Sequence, residues 1–270
     1  MLMTCTSTQR FTAVVLAADR TSNDPVAQAA KVPCKALAPV GGRPMVLRVL
    51  DALAESTSID ACILIGPPSE IVEREPLLKE RLAVPGLLWL PPHATPSTSA
   101  AAAFACIPAA TPVLLTTADH ALLRPEMVEY FCREAQTTGC DVVAGLASYA
   151  QIVASYPGMR RTRTRFSEGD FCGCNLFAFL TPEGRAVADL WRRVENERKR
   201  PVKMLSELGW RVVLRYLLGR LSLKEALRRI SQRMGVRVGV VILPFPEAAI
   251  DVDSVADWQV SQRIASGSGC

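Results

Sequence analysis

The chain has 270 residues, of which 49% are hydrophobic and 21% are charged, and its net charge is +5. This balance is typical of a soluble globular protein, and the mild charge with few aromatic residues argues against nucleic acid as a partner. No apolar stretch approaches the roughly 20 residues of a membrane-spanning helix, and residues 1–10 contain no apolar signal core, so we expect a cytoplasmic protein.

Short apolar segments alternate with helix-like segments along the first half of the chain. Buried strands are predicted at residues 14–17, 61–65, 87–90, 113–115 and 142–144. Helices are predicted at residues 44–55, 70–82, 98–106 and 124–137. This alternation predicts an α/β fold, with a mostly parallel sheet that is covered by helices on both faces.

The second half of the chain departs from this alternation. Strands are predicted at residues 165–166, 176–179 and 236–243, whereas residues 182–234 have a strongly helical pattern. We find no internal repeat, long linker or low-complexity tract. The simplest organisation is a single domain over residues 10–268 that contains a helical insertion at residues 183–235.

The end of the first predicted strand has the features of a phosphate site. The strand runs into a polar loop, residues 19–30, and Lys35 follows soon afterwards. A strand that ends in such a loop allows backbone N–H groups and one ammonium group to converge on the same anion. The pattern therefore predicts that Lys35 contacts phosphate.

Asp119 lies at the end of the fourth predicted strand, in the segment TTADHALL of residues 116–123. Ligands of open parallel sheets bind outside the carboxyl ends of the strands. Asp119 is therefore a candidate Mg²⁺ ligand, because Mg²⁺ takes one or two carboxylates together with phosphate oxygens. The alternative is that Asp119 caps the helix that begins near Pro125.

Asp251 and Asp253 form a second group of carboxylates near the C-terminus. On an extended chain these two side chains point to the same face, and they repel each other unless a cation or a proton lies between them. The alternative is that Asp253 caps the last helix, which is predicted at residues 255–264. The two roles are compatible on neighbouring positions.

Basic residues are concentrated in two segments, residues 160–165 and 192–237. On a strand, Arg161, Arg163 and Arg165 would share one face and would suit a phosphorylated substrate, although a solvated charged hairpin explains them equally well. The apolar positions of residues 190–235 predict packing onto the domain or contact with a second copy of the chain. Their basic amphipathic pattern also fits peripheral contact with an anionic membrane.

Four segments of the chain form a recognisable series: VVLAA at 14–18 with PCKALAPVGGRPM at 33–45, TTADHALL at 116–123, GCNLF at 173–177 and DVDSVADW at 251–258. In the same order, these segments resemble those of the molybdenum-cofactor guanylyltransferase-like (MobA-like) NTP transferases. That group shares the GT-A type fold with nucleotidyltransferases that act on sugar phosphates and methylerythritol phosphate. The resemblance implies a three-layer domain of this type over about residues 12–264, apart from the helical insertion.

The resemblance implies that Lys35, together with Arg20 in the preceding loop, contacts the nucleotide phosphates as a catalytic cation. Ser99 would lie near the base. The backbone groups that face the base and the ribose would come from the end of the first strand, at Leu16, Ala17 and Ala18.

The resemblance also implies an acceptor side of the site. Asp119 and Asp253 would hold Mg²⁺, and Asn175 would contact the acceptor. The acceptor would approach the basic segment, which supplies Arg161, Arg163 and Arg165.

The loop after the first strand departs from the family pattern, because Ala18 and Asp19 stand where glycines are usual. Glycine allows a close backbone approach and a positive φ at low cost, and Asp19 brings negative charge towards a triphosphate. Either the loop takes another path, with Arg20 compensating for the charge, or triphosphate binding is weakened.

We therefore expect a Mg²⁺-dependent nucleotidyltransferase that transfers an NMP from an NTP to a small phosphorylated acceptor and releases pyrophosphate. The alternatives are a non-catalytic nucleotide-binding or regulatory protein on the same fold, which the glycine-poor loop favours, and a GT-A glycosyltransferase. Glycosyltransferases of this fold usually carry an Asp-any-Asp motif in mid-chain. Here that position has a lone Asp119, which favours nucleotidyl transfer.

Overall fold

The computed structural model describes residues 9–19, 23–159, 161–187 and 220–267. The strands are β1 Phe11–Leu16, β2 Pro39–Val40, β3 Arg43–Pro44, β4 Ile59–Ile65, β5 Leu87–Leu90, β6 Val113–Thr117, β7 Val142–Ser148, β8 Thr164–Phe166, β9 Gly169–Phe179 and β10 Val238–Leu243. The α-helices whose bounds lie within the described residues are α1 Pro25–Ala30, α2 Met45–Glu55, α3 Ser69–Val72, α4 Pro76–Leu82, α5 Pro96–Ala105, α6 Pro125–Thr137, α7 Tyr149–Ser155, α8 Leu223–Met234 and α9 Val255–Ala265, and residues 182–187 are also helical. Short 3₁₀ helices span Lys35–Leu37 and Pro246–Ala249.

Eight of the described strands form one mixed sheet with the order β10-β7-β9-β6-β1-β4-β5, and β8 pairs with β9 outside this path. The β1–β4, β1–β6, β4–β5 and β7–β10 pairs are parallel, whereas β9 runs antiparallel to both β6 and β7. The predicted mostly parallel α/β sheet is therefore confirmed.

Helices cover both faces of the sheet, because the central strands carry apolar side chains on both of their faces. Val15 of β1 packs in the same buried cluster as Leu50 of α2 and Phe131 of α6. Val14 faces the other way and shares a second buried cluster with Phe104 of α5. The molecule thus has three layers.

Three predicted segments differ in detail from the structure. The loop predicted at residues 19–30 contains helix α1, Pro25–Ala30. The helix predicted at residues 70–82 is two helices, α3 and α4. The break is explained by Pro76, which has no backbone N–H and is favoured in the first turn of a helix. The strand predicted at residues 176–179 extends back to Gly169 and forms a hairpin with β8.

Residues 188–219 of the predicted helical insertion lie outside the described residues. The insertion and the domain boundaries stay predictions. The predicted dimer or membrane contact of residues 190–235 is represented by α8 alone, none of whose residues is fully buried. None of the helices that the structure describes has the length and apolar character required to span a bilayer.

Candidate functional site

A cavity of about 460 Å³, here called the main cavity, opens at the carboxyl ends of β1 and β6. Strand β1 pairs with β6 so that Leu16 is opposite Thr117, and Ala118 N–H donates to the Leu16 carbonyl at 2.9 Å. This pairing brings the ends of the two strands to one edge of the sheet. The described residues that line the main cavity are Leu16, Ala17, Ala18, Asp19, Asp24, Lys35, Ala36, Pro96, Thr117, Ala118, Asp119, Asn175, Phe177, Asp251 and Asp253.

Lys35 begins a short 3₁₀ helix and extends its side chain between two carboxylates. Its Nζ atom lies 2.7 Å from Asp119 Oδ2 and 3.6 Å from Asp253 Oδ1. Burial alone would lower the pKa of the Lys35 ammonium, but the charges of Asp119, Asp253 and Asp24 raise that pKa above its ordinary value. Lys35 is therefore a fixed positive charge in the main cavity at neutral pH.

Asp119 is held in place by its own strand end. Thr117 Oγ1 donates a hydrogen bond of 2.5 Å to Asp119 Oδ1, while Lys35 binds the other carboxylate oxygen. The predicted alternative, in which Asp119 caps the following helix, is wrong. Arg124 occupies the N-cap position of α6, and its side chain makes no cap hydrogen bond.

The C-terminal segment reaches the main cavity through backbone and side-chain contacts. Val252 N–H donates to the Asp119 carbonyl at 3.0 Å. From α9, Trp258 Nε1 donates to the Pro39 carbonyl at 2.7 Å, just after the Lys35 segment. These contacts explain how Asp253, more than two hundred residues after Lys35 in the chain, comes to face it.

Asp251 and Asp253 have different environments, although both line the main cavity. Asp253 is largely exposed and faces Lys35, whereas the Asp251 side chain is only 14% exposed. The predicted alternative, in which Asp253 caps the last helix, is wrong. Ser254 immediately precedes α9, and its hydroxyl accepts the Asp257 N–H at 3.2 Å.

Asn175 lies on β9 with a positive φ of 48°, a conformation that asparagine tolerates better than most residues. Its Nδ2 atom donates to Asp251 Oδ2 at 2.8 Å. The structure therefore brings Asn175 to the main cavity, beside the carboxylates.

The structure separates the three predicted acceptor-binding arginines. Arg161 forms an ion pair with Asp251, whereas Arg163 donates to Asp170 at 2.8 Å. Arg165 is exposed on β8. The prediction that all three share one strand face is wrong, because β8 begins only at Thr164. Among them, Arg161 alone contacts a residue that lines the main cavity.

A second cavity of about 260 Å³, here called the side cavity, adjoins the main cavity beside α5. Ser99 lines it and is nearly fully buried, and its hydroxyl accepts the His93 N–H at 3.0 Å. Its other described lining residues are Leu16, Ala18, Asp19, Ile65, His93, Ala94, Thr95 and Pro96. Ala17 lines only the main cavity.

Asp19 turns back towards the chain that follows it. Its two carboxylate oxygens accept the Lys35 backbone N–H at 3.2 and 3.0 Å. Burial raises the pKa of Asp19 above its ordinary value, although the hydrogen bond from the Lys35 N–H acts in the opposite direction. Arg20, predicted to compensate for this charge, lies outside the described residues.

Three lining residues of the main cavity with polar or aromatic side chains have no role in the sequence-based prediction. Thr117 could have been found from its place two residues before Asp119 at a strand end. Asp24 carries the signal of a helix cap, and its carboxylate accepts the Val26 N–H at 2.8 Å. Phe177 has the ordinary pattern of a strand residue, and nothing in the sequence distinguishes it.

The chain belongs to the MobA-like NTP transferase domain family, whose model matches residues 13–238. This is the family that the four sequence segments resemble. Comparison with curated protein sequences gave no match.

Solved structures with the same fold include several transferases. A hypothetical transferase structure from Thermus thermophilus is 30% identical, with a TM-score of 0.76, and the match covers 92% of this chain and 99% of that one. The 2-C-methyl-D-erythritol 4-phosphate cytidylyltransferase from the same organism is 16% identical, with a TM-score of 0.53 over 95% of this chain and 98% of that one. CMP:2-keto-3-deoxy-manno-octonic acid synthetase, in complex with CTP, is 14% identical, with a TM-score of 0.54 over 96% and 99%. The predicted fold class and family are thus confirmed, and the class of protein is that of the nucleotidyltransferases.

Proposed function

We propose that this protein transfers an NMP from an NTP to a small phosphorylated acceptor and releases pyrophosphate. The observation that carries the proposal is the meeting of Lys35, Asp119 and Asp253 in one cavity at the carboxyl edge of the sheet. An ammonium group between two carboxylates offers opposite charges within a few ångströms. That arrangement suits a substrate that carries both phosphate groups and a bound divalent cation.

The two cavities suit the two ends of a nucleotide. The phosphates would lie beside Lys35 in the main cavity, with Arg20 as a second proposed cation. The base would enter the side cavity near Ser99. The walls of this cavity contain mainly apolar and hydroxyl groups. The end of β1 would contribute the proposed backbone contacts to base and ribose, from Leu16, Ala17 and Ala18.

Two carboxylates at this site fit Mg²⁺ in their donor chemistry. Asp119 and Asp253 supply hard oxygen ligands, and Mg²⁺ commonly takes one or two carboxylates together with waters and substrate phosphate oxygens. Within the part of the chain that the structure describes, no group of three or more His, Cys, Asp and Glu residues could form an all-protein metal cage. When bound, Mg²⁺ would neutralise phosphate charge and help to orient the substrate.

The chain's own residues would act by positioning and by neutralising charge. A phosphate oxygen of the acceptor attacks the α-phosphorus in line, and pyrophosphate leaves with its bonding electron pair. Phosphate oxygens are already nucleophilic at neutral pH, so the site needs no strong base. Lys35 would neutralise the developing charge, and Thr117 would keep Asp119 in its orientation.

The acceptor would lie against Asn175, on the side of the main cavity where Asp251 pairs with Arg161. The side chains of Arg163 and Arg165 do not line the main cavity. Their proposed contribution is therefore limited to positive electrostatic potential near the acceptor. The names of the structural neighbours support a phosphorylated acceptor, because one of them is a cytidylyltransferase of methylerythritol phosphate.

A pyrophosphate-release assay tests the proposal. The purified chain would be incubated with Mg²⁺, each of the four NTPs and a panel of sugar, polyol and alcohol phosphates. We expect release with at least one pair of substrates, and none when the acceptor is omitted. Nucleotide binding without release for every pair would instead support the non-catalytic alternative, which the extra carboxylate of Asp19 favours.

A further inference from the structure

The main cavity and the side cavity share one wall. Four of the described residues line both cavities: Leu16, Ala18, Asp19 and Pro96. Asp19 alone among these four has a charged side chain. A nucleotide with its phosphates beside Lys35 and its base near Ser99 must extend from one cavity into the other along this wall. The ribose is the part of the nucleotide that would lie against it.

The Asp19 carboxylate is fixed and still has room for further donors. One backbone N–H, that of Lys35, reaches both of its oxygens. An ionised carboxylate has about four lone-pair positions, and among the described residues one shared N–H is the donor to it, which leaves acceptor capacity on both oxygens. Two vicinal hydroxyl groups are a matching pair of donors, and carboxylates bind ribose hydroxyls in this way in other nucleotide folds.

The Asp19 carboxylate does not take the place of a phosphate on the Lys35 ammonium. Asp19 binds the backbone end of Lys35, whereas the Nζ atom binds Asp119 at 2.7 Å. The backbone N–H and the side-chain ammonium group of Lys35 therefore have different roles. Its ammonium group stays directed towards the phosphate end of the main cavity, and its backbone orients Asp19 on the shared wall.

We infer that Asp19 accepts hydrogen bonds from the ribose hydroxyls of the nucleotide and so selects ribonucleotides over 2′-deoxyribonucleotides. The inference rests on the proposed function for the placement of the nucleotide across both cavities. It gives a use to the residue by which this loop departs from the glycine-rich pattern of its family.

The experiment compares each NTP with its 2′-deoxy analogue. Nucleotide binding is measured by calorimetry with Mg²⁺ and no acceptor, and turnover is measured by pyrophosphate release. The variants are Asp19→Ala, Asp19→Asn and, as a matched control, Asp24→Asn. The control removes a charge from the main cavity alone, and asparagine preserves the helix cap.

We expect the wild-type chain to prefer the ribonucleotide by about 10- to 100-fold, because a hydrogen bond to a charged group is lost with the 2′-hydroxyl. Asp19→Ala should bring the ratio close to one, mainly by weakening the ribonucleotide. Asp19→Asn should keep part of the preference, since its amide oxygen still accepts. Asp24→Asn should leave the ratio at the wild-type value.

The outcomes separate this inference from the proposed function. Turnover with equal use of both sugars overturns the inference and leaves the function intact. Discrimination in binding without pyrophosphate release supports the inference and overturns the function. A gain for both sugars in Asp19→Ala would show that the carboxylate repels the triphosphate, and this result also overturns the inference, as would the absence of all nucleotide binding.

Discussion

Two clusters of ion pairs in this protein use the same kinds of side chain but differ in how completely the charges are matched. At the start of β7, Asp141 accepts three hydrogen bonds from Arg237, one of them from its backbone N–H, and one from Thr181. In the main cavity, Lys35 lies between Asp119 and Asp253, and further carboxylates line the same walls. The first cluster is saturated by its own partners, whereas the second, among the residues that the structure describes, has carboxylates in excess.

This difference indicates which cluster serves the fold and which is available to a ligand. The hydrogen bonds from Arg237 outweigh the effect of burial and hold the pKa of Asp141 at about 2. That cluster lies just before β7 and β10, which pair with each other, and there the Asp141 N–H also donates to the Arg237 carbonyl at 2.8 Å. In the main cavity, by contrast, Asp253 is largely exposed, and the surplus carboxylates can receive a cation or hydroxyl donors.

The largest expected effect is that of Lys35→Ala. Loss of the ammonium group should lower kcat/KM for pyrophosphate release by about 100- to 1000-fold, because a preorganised charge contact is removed. The control is Lys79→Ala, which removes an exposed lysine from α4 and should leave the rate unchanged. Near-wild-type turnover in a folded Lys35→Ala protein, as judged by its thermal unfolding, would contradict the proposed function.

Substitution of the proposed Mg²⁺ ligands should have the next largest effect. Asp119→Asn should lower kcat by about 100-fold or more and raise the Mg²⁺ concentration needed for half-maximal rate. Asp253→Asn should have a smaller effect, because that side chain is more exposed and lies farther from Lys35. Asp60→Asn, at an exposed position on β4, is the matched control. An unchanged Mg²⁺ titration in both variants would exclude these residues as ligands.

Asp141→Ala should break the saturated cluster without affecting catalysis. We expect the free energy of unfolding to fall by about 1–3 kcal/mol, as measured with urea, while the kinetics of the folded protein stay the same. The carboxylate stabilises the fold above its unfolded pKa of about 4. That contribution disappears as the pH falls towards 2, so the difference between variant and wild type should shrink below pH 4. A difference that is constant with pH would indicate that the charge is not responsible.

The smallest expected effect concerns Asp24, which belongs to the main cavity but also caps α1. Asp24→Ala should cost about 1 kcal/mol of stability, and Asp24→Asn should cost only a few tenths, because asparagine is an equally good cap. Thermal unfolding measures both. A loss of turnover comparable to that of Asp119→Asn would instead place Asp24 among the catalytic groups.

Prediction from the sequence succeeds where a feature depends on local pattern. The apolar runs of β1, β4 and β6 predict buried parallel strands, because covering by helices on both faces requires continuous apolar segments. The position of Asp119 follows from the rule that strand ends meet at one edge of a sheet, and that of Lys35 from the polar loop that leads from the first strand. The arginines were grouped wrongly because the start of β8 is set by its pairing with β9. No periodicity in residues 160–165 reveals that start.

The sequence by itself determined the layered α/β architecture, the alternation of its main strands and helices, and the chemistry available at each strand end. Only the tertiary structure decided that Asp253 faces Lys35, that Arg161 is committed to Asp251, and that Asp19 lies on a wall between two cavities. The physical reason is the separation along the chain between the residues that interact. Burial patterns and helix caps are fixed by residues a few positions apart, whereas these contacts join distant segments. The Asp253–Lys35 contact, for example, also depends on how α9 packs against the β2–β3 hairpin.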